Sequence, residues 1–184
     1  MRHSVLLIIS GSVAAYKSLD LIRRLRERDC DVRCILTKGG EQFITPLSVA
    51  SLSGNPCYGD LFSLKDETEM GHIRLTREAD VIVVAPASAD LIAKMANGFA
   101  DDLASATLLA SDKKILVAPA MNTQMWQHPA TERNIKQIVK DGAILIEPSA
   151  GSLACGEIGS GRLAEPDDIV KAIINSLPKK RKIS

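Results

Sequence analysis

The stretch Glu78-Ala-Asp-Val-Ile-Val-Val-Ala-Pro-Ala-Ser-Ala-Asp-Leu-Ile-Ala-Lys-Met-Ala-Asn-Gly98 passes from a continuous β-branched run into a small polar turn and then into a helical pattern. Val81 to Val84 shows no alternation of apolar and polar residues. A strand of that kind is covered on both faces, as in a parallel sheet flanked by helices. Pro86, which has no N–H to give a ladder, is expected to end the strand. Ser88 then stands at an N-cap position, and the N–H groups of the first helical turn point at whatever occupies the carboxyl edge of the sheet. An anion suits that place. The same grammar recurs at Ile115-Leu-Val-Ala-Pro-Ala-Met-Asn122, so two loops should share one edge, the edge that holds ligands in open α/β sheets.

The remaining elements follow the same alternation. Val5–Ile9 is a second buried strand, and Ser10-Gly11-Ser12-Val13-Ala14 turns it into a helix through Leu19, Ile22 and Leu25. Gly11 lets backbone approach a phosphate, and Ser12 offers both backbone and hydroxyl donors. A tight turn with no ligand is an equal reading of this loop taken alone. The three glycines of a dinucleotide fingerprint are missing, and the strand Asp31–Leu36 ends in Thr37-Lys38 where a nicotinamide enzyme carries an acid. A single phosphate fits better than a pyrophosphate. Pro46–Leu52 is helix-like, with a short strand expected near Cys57; Ile73–Ala79, Leu103–Leu109, Thr131–Lys140 and Pro166–Leu177 read as helices, and Ala143–Ile146 as the last parallel strand. The expected fold is α/β: a Rossmann-like, doubly wound domain over residues 1–177, with a mostly parallel sheet and helices on both faces. Residues 178–184 read as a basic tail or linker stub.

Composition narrows the partner. Lys plus Arg number 23 against 22 for Asp plus Glu, a balance that argues against a general nucleic-acid or anionic-membrane binder and for a small molecule. The chain has no apolar run long enough to span a bilayer, and strand-like sequence begins at Val5 without a signal peptide, so a cytoplasmic location is expected. Of four cysteines, Cys30 and Cys34 are too close along one strand to bond each other, and no pair has metal-ligand spacing, so no metal is expected. Cys57 reads as a packing residue.

Several residues carry chemistry. His72 follows Gly71 at a helix start, where the dipole favours a neutral imidazole able to act as a base; a capping or surface histidine is the competing reading. Asn122 offers donor and acceptor together, suited to a carboxylate and an amide. Met125 and Trp126 are expected in the core. Phe43 lies either in the core, which composition favours, or against a flat cofactor. Pro148 to Leu163, rich in glycine and serine, reads as a mobile flap rather than regular structure. Its glycines at 156, 159 and 161 reverse the dinucleotide spacing, and Cys155 there can reach solvent or substrate.

Gly71-His72, the Pro86-Ala-Ser-Ala loop, Pro119-Ala-Met-Asn-Thr-Gln-Met-Trp126 and Ala154-Cys-Gly-Glu-Ile-Gly-Ser-Gly-Arg162 together resemble the homo-oligomeric flavin-containing cysteine decarboxylases, over nearly the whole chain. Asp90-Leu91 departs from the Asn-Thr that the family often has there. The resemblance implies FMN held by Gly11, Ser12, Val13, Thr37, Phe43, Ser88, Ala89 and Met121, near a subunit boundary of a trimer-based homo-oligomer. It implies catalytic roles for His72 as base and Cys155 as acid. The implied substrate is an N-acylated cysteine with a free carboxylate, gripped by Asn122, Ala154 and Arg162. In coenzyme A biosynthesis that substrate is 4′-phosphopantothenoylcysteine, decarboxylated to 4′-phosphopantetheine through a thioaldehyde and an enethiol. A phosphopantothenoylcysteine synthetase, fused or separate, is the implied partner. Rival readings are a peptidyl-cysteine decarboxylase, which stops at the enethiol; a flavin prenyltransferase; and a non-catalytic flavin-binding regulatory subunit.

Overall fold

The computed structural model describes residues 2–59, 71–152 and 158–178, with the side chains of His72, Ser152 and Ile158 outside that description. Six parallel strands form the central sheet: β1 (His3–Ile9), β2 (Cys30–Leu36), β3 (Cys57–Tyr58), β4 (Val81–Ala87), β5 (Ile115–Pro119) and β6 (Ile144–Leu145). Their order is β3-β2-β1-β4-β5-β6. The chain moves outward from β1 in one direction, then returns to start β4 on its other side. The switch point therefore lies between β1 and β4, where the loops beyond their carboxyl ends diverge and leave a crevice.

Two cores explain the unbroken apolar strands. Successive side chains leave opposite faces of a strand. Val5, Leu7 and Ile9 of β1, with Val81, Val83 and Ala85 of β4, join one buried cluster; Leu6, Ile8, Ile82, Val84 and Ala87 join another. Helices α1 (Ala15–Glu27) and α8 (Pro166–Ser176) cover the first face, with α2 (Pro46–Ser53) beside α1. The second is covered by α3 (Gly71–Glu78), α4 (Ala89–Asn97), α5 (Leu103–Leu109) and α7 (Pro129–Lys140). A Val, Leu or Ile side chain fully buried in this way stabilises the fold by about 1.5–3 kcal/mol.

Two sequence expectations are corrected here. β4 does not stop at Pro86 but continues to Ala87, with an irregularity in register between Val84 and Ala87. Pro86 sits within that irregularity, where a strand tolerates a residue without an N–H, and the strand stays tied through its carbonyls: Pro86 O accepts from Ser10 N at 3.2 Å and Ala87 O from Ala120 N at 3.0 Å. The glycine-serine segment expected as an irregular flap contains an antiparallel hairpin, β7 (Ser149–Ser152) and β8 (Ile158–Arg162), with a shift of register between Ser149 and Gly151. Residues 153–157, Ala154 and Cys155 among them, lie outside the described residues, as do Lys65–Glu69, expected as a charged loop, and residues 179–184.

Candidate functional site

Ser10 joins the two loops at the switch point. It is 2% exposed; its hydroxyl donates to Pro86 O at 2.7 Å and accepts from Ser88 N at 2.7 Å. A third loop closes in from β2. A Cβ on Gly11 would stand 3.1 Å from the Gly39 backbone, so the absence of a side chain lets these loops meet. Thr37 holds the β2 loop in shape, its Oγ1 accepting from Gly40 N at 3.1 Å.

Two adjoining cavities open beside these loops, sharing Gly11, Ser88, Ala89 and Met125. The larger, about 600 Å³, extends past Thr37 and Lys38 towards Lys94 and Asp102. The smaller, about 520 Å³, extends past Ser12, Val13, Met121, Asn122 and Arg162. Each falls within the range of small-molecule sites, about 300–1,000 Å³. Of the residues expected to hold cofactor or substrate, Gly11, Ser12, Val13, Ser88, Ala89, Met121, Asn122 and Arg162 thus meet at one cavity, and Thr37 lines its neighbour.

The polar groups have defined spare capacity. Ser12 Oγ accepts from Ala14 N at 3.2 Å, and Ser88 Oγ caps α4 by accepting from Leu91 N at 3.2 Å. Both hydroxyls keep their protons for a ligand acceptor. Asn122 caps the short helix α6 (Thr123–Trp126), its Oδ1 accepting from Met125 N at 2.8 Å. The cap takes one of the two lone pairs on Oδ1, so the side chain can still offer an acceptor beside its donors. The Nδ2 donors remain, suited to an anion.

The hairpin is fastened beside Asn122. Met121 N donates to Gly161 O at 2.9 Å, and Thr123 Oγ1 donates to Ser160 O at 3.0 Å. Gly161 has φ +109°, and a Cβ there would meet Met121 O at 2.5 Å. These contacts carry Arg162 to the cavity wall, where its Nη2 donates to Glu165 Oε1 at 2.8 Å.

In the larger cavity, Lys94 Nζ bonds Asp102 at 2.7 Å and Asp101 at 3.1 Å. Its ammonium is pushed up chiefly by the Asp102 bond, against the opposing effect of burial. Burial alone would raise the Asp102 carboxyl, but bonds from Lys94 and Ser105 outweigh it and hold the group below its ordinary range. On the sheet, burial followed by the nearby Glu41 pushes the Cys57 thiol up to about 11, which fits a packing residue.

Other expected residues fall elsewhere. Phe43 is 50% exposed, so its core placement does not stand, and its side chain lines neither of these two cavities. Met125, expected in the core, is 45% exposed and lines both cavities, and Trp126 is half-buried. Helix α6 lies at the surface, and four residues are too few for a period to report a buried face. His72 lies in the first turn of α3, with its side chain outside the described residues. Sequence reasoning passed over Ser10 and Lys17. A polar residue closing an apolar strand was the available signal for Ser10; Lys17 had none beyond its place in the first turn of α1.

Comparison with known proteins agrees with this architecture. A bifunctional coenzyme A biosynthesis protein CoaBC from Vibrio vulnificus (strain YJ016) is 46% identical over 166 residues, 90% of this chain and 41% of the relative. The CoaBC protein of Bacillus subtilis (strain 168) is 45% identical over 170 residues, 92% of this chain and 42% of the relative. The chain therefore spans about two fifths of the length of these curated relatives. Among solved structures, a mutant PPC decarboxylase complexed with pantothenoylaminoethenethiol superposes with a TM-score of 0.88 at 38% identity, covering 95% of this chain and 98% of the other. The FMN-binding protein AtHal3 gives 0.85 at 38% identity, with 95% and 96% covered. Residues 1–178 match the family described as Flavoprotein, and the chain belongs to that family.

Proposed function

We propose that this chain binds FMN at the β1/β4 switch point and decarboxylates 4′-phosphopantothenoylcysteine to 4′-phosphopantetheine in coenzyme A biosynthesis. The observation that carries the reading is the single cavity where Gly11, Ser12, Ser88, Asn122 and Arg162 meet, in a chain of this family. The donor set fits a flavin monophosphate. The hydroxyls of Ser12 and Ser88 each accept from backbone and keep a proton to donate, which suits a group made only of acceptors. The α4 N-terminus, with Ser88 as its cap, adds unpaired N–H groups.

A cysteine carboxylate is a poor leaving group, because the carbanion left behind has no adjacent electron sink. Bound flavin supplies a reversible hydride acceptor, by which the thiol-bearing carbon reaches the thioaldehyde level and then returns. His72, in the first turn of α3, is the base for the substrate thiol. Asn122 Nδ2 donates to the substrate carboxylate and orients its carbon–carbon bond, while its Oδ1 stays tied to Met125 N. Loss of CO2 gives an enethiol. Cys155, beyond the hairpin arm that Thr123 and Met121 hold, donates the proton to its carbon, and the net reaction is decarboxylation without net oxidation.

The working assembly is a trimer or a multiple of three. Val13, Tyr16, Phe43 and Leu47 are 50–75% exposed, an apolar surface for a partner copy near the cofactor loops. Curated relatives of the chain are bifunctional, so the decarboxylase works fused to, or beside, a synthetase for its substrate. Among the described residues no helix is long and apolar enough to cross a membrane, and the reaction belongs in the cytoplasm.

His72→Asn tests the assignment. The variant is expected to remain yellow and release FMN on denaturation, while flavin reduction by substrate slows by about 10²–10⁴-fold. Flavin reduction at the wild-type rate would return His72 to a structural role.

A further inference from the structure

The smaller cavity is charged in one sense only. Among its described lining residues the charged side chains are Lys17 and Arg162, and no carboxylate lines it. Both cations are tied from behind to one acid. Lys17 Nζ lies 3.3 Å from both carboxylate oxygens of Glu165, and Arg162 Nη2 lies 2.8 Å from Oε1. An ammonium and a guanidinium carry more N–H donors than one carboxylate can take, so donors remain for a further anion. The Lys17 side chain is only 13% exposed, which strengthens its interaction with any such anion relative to one in open water. Three separate elements build the cluster: the first turn of α1, the end of β8 and the residue before α8. It shares its cavity with Asn122, the residue assigned to the cysteine carboxylate.

We propose that Lys17 and Arg162, braced by Glu165, form a subsite for the 4′-phosphate at the far end of the acyl chain, and so select the phosphorylated substrate. This rests on the function proposed above. The FMN phosphate has neutral donors of its own at Ser12 and Ser88, which leaves the two cations for the second phosphate. Lys17 and Arg162 act on binding and specificity, and the carbon–carbon bond is broken elsewhere.

The test compares 4′-phosphopantothenoylcysteine with pantothenoylcysteine, which lacks the phosphate, as substrates of the FMN-loaded protein. Wild type is expected to prefer the phosphorylated compound. Lys17→Met should lower its kcat/KM by about tenfold or more, through KM rather than kcat, because a charge-assisted hydrogen bond is lost. The unphosphorylated compound should be unaffected, and Lys17→Arg should keep the preference. Glu165→Gln should move it the opposite way, since removing the competing carboxylate leaves the subsite more positive. A structural lesion does not raise the preference for one substrate, so Glu165→Gln decides the matter even where Lys17→Met fails to fold. Equal use of both substrates by wild type would overturn the proposal. So would an equal loss of both in Lys17→Met, or weakened binding of FMN but not of riboflavin in that variant, which would assign the cations to the cofactor. Failure of wild type to turn over either compound is a different result: it removes the function on which the proposal rests.

Discussion

Ser10 ties the two halves of the site together through one buried hydroxyl that both donates and accepts. Its replacement by alanine leaves Ser88 N, at the entrance to α4, without its side-chain acceptor. Ser10→Ala is therefore expected to destabilise the protein by ~1–3 kcal/mol in chemical denaturation and to weaken FMN binding, while Ser10→Thr keeps both. Unchanged stability and affinity in the alanine variant would show that the loops hold their spacing without it. At this scale the sequence was partly legible. Gly11, Ser12 and Ser88 carry local signals, a small-residue turn and a helix cap, that need no knowledge of distant residues. Lys17 and Arg162 stand 145 positions apart in the numbering and meet only through Glu165, a tertiary relation that no window of sequence contains.

The hairpin β7–β8 is the element whose nature the sequence concealed. Ser149–Ser152 and Ile158–Arg162 have little β propensity, and their order comes from pairing with each other and from the bonds to Met121 and Thr123. Gly161→Ala tests this. The left-handed φ and the Met121 carbonyl together should cost about 1–3 kcal/mol locally, displace Arg162 and reduce decarboxylation far more than FMN binding. An alanine variant with full activity would show that the hairpin does not position the cavity wall. Helix α5 was readable because Asp102 begins it with an ordinary cap, completed by reciprocal Asp102 and Ser105 bonds. The carboxyl is held below its ordinary 3.8, so its contribution is complete above that value and lost as pH falls through the depressed folded pKa. The stability gap between wild type and Asp102→Ala should stay constant from neutral pH to about pH 5 and narrow below about pH 4. A gap that widened in acid would contradict the assignment.

For the molecule as a whole, strand order decides where function sits. The continuous apolar runs at Val5–Ile9 and Val81–Val84 announced a sheet buried on both faces, and the structure divides each run between two cores. That much follows from period alone. The placement of β4 beside β1 is a long-range pairing, and it alone brings the Gly11 and Ser88 loops into one crevice. The core placements of Phe43 and Met125 failed for a related reason: apolar residues are expected inside, whereas here they stand exposed, Met125 in the cavity walls. On the function proposed above, these loops form a decarboxylase that acts through reversible oxidation of an acylated cysteine. Mass spectrometry of the product from 4′-phosphopantothenoylcysteine, for wild type and Cys155→Ser, tests it most directly. Wild type is expected to give 4′-phosphopantetheine, and the serine variant an oxidised product about 2 Da lighter with reduced flavin, because a serine hydroxyl is too weak an acid to complete the second half. The normal product at the normal rate from Cys155→Ser, or no loss of CO2 from wild type, would contradict it.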